Sequence, residues 1–85
     1  MSTDTSTAPR VVLYGRAGCH LCDEARPVVE RVCADTGQGF LEVDVDVDPV
    51  LVAAYGDLVP VVTVDGVKHG FWQIDADHLR DALTS

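Results

Sequence analysis

Positive charge is scarce in this chain. Its 85 residues contain six arginines and lysines, only one of them a lysine (Lys68), against fourteen aspartates and glutamates, for a formal net charge of -8 and a sequence pI of about 4.4. Such a surface repels phosphate backbones and anionic lipid headgroups, which excludes nucleic acid and membrane as expected partners. No apolar run approaches the roughly 20 residues that a membrane-spanning helix needs. Residues Met1–Pro9 lack the basic start and apolar stretch of a secretory signal, so they read as a short disordered tail and the expected compartment is the cytoplasm. The length excludes a second domain, while a hydrophobic fraction of 47% is enough for one modest core, placed in residues 10–85. In a cytosolic setting three cysteines point to redox or metal chemistry rather than to a structural disulfide framework.

Two of those cysteines form the most informative motif, Cys19-His20-Leu21-Cys22, between the apolar run Val11-Val12-Leu13-Tyr14 and a helix-patterned stretch. Cysteines three apart on the first turn of a helix share a face, with Cα atoms about 5.5 Å apart, close enough for a disulfide. Cys19 falls at the helix N-terminus, where unpaired backbone N–H groups and the macrodipole favour a thiolate; Cys22 lies one turn inside and is shielded. The outer sulfur suits attack on a disulfide and the inner one suits resolution of the mixed disulfide.

The rest of the chain supplies a βαβαββα order. Arg10–Tyr14 suits a central strand buried on both faces, and Gly15-Arg16-Ala17-Gly18 forms the loop into the first helix. From His20 to Thr36, Leu21, Ala25, Val28, Val29, Val32 and Cys33 mark one buried helix face, stopped by Gly37 and Gly39. Pro27 is expected to kink that helix without ending it. Phe40–Asp48 alternates as a strand with Val43, Val45 and Val47 on one side. Asp48-Pro49 starts a short helix reaching Tyr55, Pro60 opens the strand Val61–Val64, Asp65-Gly66 is a hairpin turn, and Asp75 caps a last helix through Leu83.

On these residues the chain resembles the glutaredoxin-like members of the thioredoxin-fold superfamily. The likeness rests on Leu13–Gly18 leading into Cys19-His20-Leu21-Cys22, on Pro27, on Val43-Asp44-Val45-Asp46 and on Val59-Pro60. It implies an α/β thioredoxin fold, a four-stranded mixed sheet flanked by helices. It implies a cis peptide before Pro60, with Pro60 facing the cysteines and the Val59 backbone docking substrate. Glutaredoxins that bind glutathione carry a Gly-Gly pair followed by Asp before the last helix. Here Gly70-Phe71-Trp72-Gln73-Ile74-Asp75 keeps one glycine and displaces the acid, and the chain's acidity disfavours an anionic thiol.

The function expected is thiol–disulfide oxidoreductase, with Cys19 attacking and Cys22 resolving. Disulfide-bearing proteins or small thiols would be its substrates, a monomer its state, and no bound metal or organic cofactor its requirement. Electrons would come from a reductase or a low-molecular-weight thiol such as glutathione. Absent asparagine and the preference for arginine over lysine mark a GC-rich genome, and an actinobacterial source would make that thiol mycothiol. Arg16 is a candidate to hold a substrate carboxylate, His20 and Leu21 border the reactive sulfur, and Gly70 is the remnant of the glycine pair. A protonated His20 would favour the thiolate, whereas Asp23 and Glu24 oppose it. The alternatives are a metal or iron–sulfur carrier and a non-catalytic interaction module. A zinc site would need two more ligands from Cys33, His20, His69 or His78, none forming a close pair. Calcium at Asp44, Asp46 and Asp48 fails because Pro49 and Tyr55 stand where a glycine and a glutamate are required, which leaves those aspartates as a solvated strand edge. Cys33 reads as core, Phe71 and Trp72 as packing for the last helix, and His69 and His78 have no evident partner.

Overall fold

The structure is a computed structural model that describes residues 9–84. The tail expected over residues 1–9 therefore lies, apart from Pro9, outside the described residues. Four strands and three helices follow in the order β1 (Val11–Gly15), α1 (His20–Thr36), β2 (Phe40–Asp44), α2 (Pro49–Tyr55), β3 (Val61–Val64), β4 (Val67–Phe71) and α3 (Ala76–Thr84). This is a three-helix, four-stranded thioredoxin-type arrangement. The sheet order is β2-β1-β3-β4. The long crossover through α1 makes β1 and β2 parallel, as that connection requires, while β3 runs antiparallel to β1 and to β4. At the β3–β4 turn Asp65 and Gly66 have φ of 53° and 83°, the two positive values of a type I′ hairpin.

The core lies between the sheet and α1 with α3. Val11 and Leu13 of β1 and Val62 and Val64 of β3 pack against Ala25, Val29, Val32 and Cys33 of α1 and Leu79 and Leu83 of α3. The helix periodicity holds, with one shift: the buried stripe of α1 runs through Cys22 rather than Leu21, and Val28 is only half-buried. A residue on a helix is rotated about 100° from its neighbour, so burying Cys22 turns Leu21 outward. On the opposite face Tyr14 stacks on Tyr55 of α2, ring centroids 4.7 Å apart. That cover is partial, which leaves Val12 and Tyr14 half-buried, and the strand buried on both faces is β3 rather than β1.

The second strand stops four residues earlier than its alternation suggests. Asp44 accepts the backbone N–H of Asp46 at 2.9 Å and caps a 3-10 turn over Val45–Val47, so Val45 is buried while Val47 points to solvent. Asp48 caps α2 in the same way through the N–H of Val50, also at 2.9 Å, and Asp75 caps α3 through Asp77 and His78. The acidic series is therefore two caps and an ion-pair partner, not a plain solvated edge. Among the described residues no helix is long and apolar enough to cross a membrane.

Leu79 is the most deeply buried side chain that α3 sends into the core, with 1% of its surface exposed. Leu79→Ala is expected to lower the unfolding free energy by about 2–5 kcal/mol in urea denaturation, the range for a buried leucine whose cavity does not close. A loss well under 1 kcal/mol would contradict this packing.

Candidate active site

The cysteine pair straddles the start of α1. Cys19 is the N-cap, with extended backbone (φ -81°, ψ 112°), and its Sγ accepts the backbone N–H of Cys22 at 3.2 Å. The loop that delivers it needs Gly18, at φ 78°, and is closed by the Cys19 N–H donating to the Arg16 carbonyl at 3.2 Å. The two sulfurs are joined as a disulfide, with Cα atoms 5.2 Å apart. Cys19 is half-buried, whereas Cys22 is only 3% exposed. Space for the inner sulfur comes from Gly15, because a Cβ on that residue would lie 3.3 Å from Cys22 Sγ. Cys33 sits in the core as a free thiol, and burial pushes its pKa up, which suppresses its thiolate.

The Val59–Pro60 peptide is cis, as the resemblance implied. Tyr14 pairs with Val61 at the end of β1, so Pro60 stands at the same end of the sheet as the cysteine loop. The Trp72 backbone N–H donates to the carbonyls of Leu58 and Pro60, at 3.1 and 2.9 Å, on either side of Val59. Phe71 pairs with Val61 and so ends β4 there too. Leu21, Phe71, Trp72 and Gln73 line a groove of about 600 Å³. Phe71 and Trp72, expected as packing for the last helix, are about half exposed and line this groove. Gly70 is explained by close packing: a Cβ there would stand 3.3 Å from both Ile74 and Val62.

Arg16 and Arg26 flank a polar cleft of about 380 Å³ beside Cys22. Both guanidinium groups are engaged. Arg16 holds Asp46 at 2.7 Å and reaches the Gly56 carbonyl, while Arg26 holds Glu42 at 2.6 Å and Asp23 at 3.3 Å. The expectation of a free Arg16 for a substrate carboxylate thus meets an intramolecular carboxylate already in place. His20 pairs with Glu24 at 3.0 Å, pointing away along the helix surface. His69 and His78 lie ring to ring, centroids 5.5 Å apart, across β4 and α3. No three His, Cys, Asp or Glu side chains among the described residues are grouped to share a metal ion. Reading the sequence missed the Arg16–Asp46 and Arg26–Glu42 pairs, which join residues far apart in the chain. For the first of them the available signal was Asp46, an aspartate with no capping role in the sequence reading.

A CxxC pair at the first turn of the helix after β1, opposite a cis-proline strand, defines a thioredoxin-fold domain. The chain belongs to the glutaredoxin-like domain family (DUF836), whose sequence pattern matches residues 10–84. It is 36% identical over 77 residues to an uncharacterized protein of Mycobacterium tuberculosis, with 85% of this chain and 79% of that protein covered. The crystal structure of the target protein XcR50 from X. campestris is similar at 37% identity and a TM-score of 0.70, over 86% of this chain and 93% of that one. A mutant thioredoxin from Halobacterium salinarum is similar at 29% identity and a TM-score of 0.60, over 86% of this chain and 69% of that one.

The Arg26 hydrogen bonds hold the Glu42 carboxyl below its ordinary range, against an opposing effect of burial. A carboxylate held lower in the folded state than in the unfolded chain stabilises the fold above the unfolded value, about 4.3, and that stabilisation is lost as pH falls through the lower folded value. Glu42→Gln is therefore expected to flatten the acid limb of a stability-versus-pH curve below about pH 4.5. The cost at pH 7 is small, because both partners are more than one-third open to screening solvent. An unchanged acid limb would mean that the pair is not formed in solution.

Proposed function

We propose that this protein is a thiol–disulfide oxidoreductase in which Cys19 is the attacking and Cys22 the resolving residue. The observation that carries the reading is the unequal exposure of two sulfurs on one helical turn, the half-buried one at the N-cap and the buried one behind it. In the reduced protein the N–H of Cys22 and the helix N-terminus stabilise negative charge on Cys19 Sγ. That thiolate attacks a substrate disulfide, forms a mixed disulfide and expels the other substrate sulfur as a thiolate, which takes up a proton. The Cys22 thiol then loses its proton and attacks Cys19 Sγ, releasing the second substrate thiol. The substrate gains two electrons and the protein is left with the Cys19–Cys22 disulfide, the form that the structure holds.

Docking in this reading uses the Val59 backbone beside Pro60, and the apolar rim formed by Leu21 with Phe71 and Trp72. Turnover needs an external two-electron donor, either a dithiol reductase or two equivalents of a low-molecular-weight thiol, with glutathione and mycothiol as the two to compare. The protein would act as a monomer in a reducing compartment such as the cytoplasm. The family's glutaredoxin-like character and the likeness to a thioredoxin support this activity.

Cys19→Ser is expected to abolish reaction with a disulfide probe. Cys22→Ser should still react once and accumulate a mixed disulfide on Cys19, seen as a mass increase that a dithiol removes. If the Cys22→Ser protein reacts no faster than the Cys19→Ser protein, the roles are misassigned.

A further inference from the structure

The groove beside the dithiol is apolar, and the polar cleft beside Cys22 is lined by more carboxylates (Asp23, Glu42 and Asp44) than guanidinium groups (Arg16 and Arg26). Leu21, Phe71 and Trp72 expose 38%, 43% and 52% of their surface, and Leu21 lies between the two cysteines in the chain. The groove continues into a hollow of about 260 Å³ walled by Leu21, Val28, Trp72 and Ile74, with Glu24 on its lining. Trp72 is held in place rather than left loose. Its backbone is in the left-handed region, φ 61°, which a bulky residue adopts only when fixed from several sides. Two backbone carbonyls hold its N–H, the Asp57 carbonyl accepts its indole N–H at 3.1 Å, and Phe71 meets it edge-on at 5.3 Å.

The charges near this surface have one net sign. Arg16 and Arg26, the guanidinium groups next to the cysteines, are both bound to carboxylates of the same chain. Asp44 and Asp57 also act on Arg16, so its positive charge is more than matched. Among the described residues Glu24 is paired with His20 alone, and Lys68, over the Phe71 ring at 5.3 Å, is the one ammonium at the groove's edge. The chain as a whole carries -8. Among the described residues an anionic small thiol entering here meets no uncommitted arginine and a single ammonium, Lys68, against a net negative surround. A cationic segment is drawn in, and its apolar side chains find an exposed aromatic rim.

We infer that the substrate taken by this site is an extended cysteine-bearing segment of another polypeptide that carries basic and aromatic or aliphatic side chains next to its disulfide. Trp72 selects the apolar residue and the carboxylates around the dithiol select the basic one. The inference rests on the oxidoreductase reading and adds to it the class of substrate. Electrons follow the route given above: the segment's disulfide is reduced and the Cys19–Cys22 disulfide forms.

The test uses the pre-reduced full chain and synthetic peptides whose single cysteine is capped by 2-mercaptoethanol. One peptide flanks the cysteine with Arg and Phe, the second with Glu and Phe, the third with Arg and Ser. Neutral 2-hydroxyethyl disulfide is run first: failure to reduce it defeats the oxidoreductase reading, and this inference falls with it. Given that reaction, the Arg/Phe peptide is expected to react about ten-fold faster than the Glu/Phe peptide at low ionic strength, a gap that closes by about 0.5 M salt. The advantage of Phe over Ser should survive salt and shrink several-fold in Trp72→Gly, a change that relieves the left-handed backbone while removing the aromatic surface. Trp72 is the only tryptophan, so its emission should change saturably when the Arg/Phe peptide is added to the Cys19→Ser protein. Equal rates for the Arg and Glu peptides, a Phe advantage unaltered in Trp72→Gly, or faster reaction when glutathione replaces 2-mercaptoethanol as the cap would each overturn the inference while leaving the oxidoreductase reading intact.

Discussion

At the junction of β1 and α1 the chain must leave the buried sheet and begin a helix within four loop residues, with one sulfur sunk into the core and another left at the rim. Gly15 makes this possible on the inside, since any side chain there would press on Cys22 Sγ. Gly18 makes it possible on the outside, since the loop reaches the N-cap only through a left-handed residue. Once α1 is anchored by Ala25, Val29, Val32 and Cys33, its rotation is fixed and with it the inequality of the two cysteines. In the proposed reaction that inequality gives the pair a direction, with the exposed sulfur meeting the substrate and the buried one meeting only the exposed sulfur. The same rotation turns Leu21 out toward Phe71 and Trp72, so the cysteine pair and the apolar rim arise from one packing decision.

Electrostatics at this end of the sheet work by neutralisation. An acidic chain with five arginines and one lysine spends four of its five guanidinium groups on structure: Arg10 on Asp65, Arg16 on Asp46, Arg26 on Glu42, Arg80 on Asp35. Exposed pairs of this kind add little stability. Their larger effect is to remove positive charge from the surface around the dithiol, which leaves the backbone N–H of Cys22 and the helix N-terminus as the direct favourable partners of a Cys19 thiolate.

Features set by local chemistry were legible before the structure. The helix begins at His20 and ends at Thr36 because a cap, a 3.6-residue stripe and Gly37 all act within a few residues, and the Asp65-Gly66 turn and the Asp48 and Asp75 caps are local in the same sense. The cysteine site was legible for that reason too. One local feature escaped: Val43, Val45 and Val47 alternate like a strand, yet the Asp44 carboxylate ends the strand by competing for the Asp46 N–H. The rest of what escaped depends on contacts distant in sequence. That β3 is more covered than β1, and that Tyr55 of α2 reaches Tyr14, follow from packing between distant segments, and the aromatic rim exists because the end of β4 brings Phe71 and Trp72 beside Leu21.

In the proposed mechanism one sulfur of three is presented for reaction. Limited alkylation of the fully reduced protein with iodoacetamide at neutral pH, followed by peptide mass mapping, measures this. One equivalent of label should fall on Cys19 while Cys22 and Cys33 stay free. Label divided equally between Cys19 and Cys22, or found first on Cys33, would contradict it.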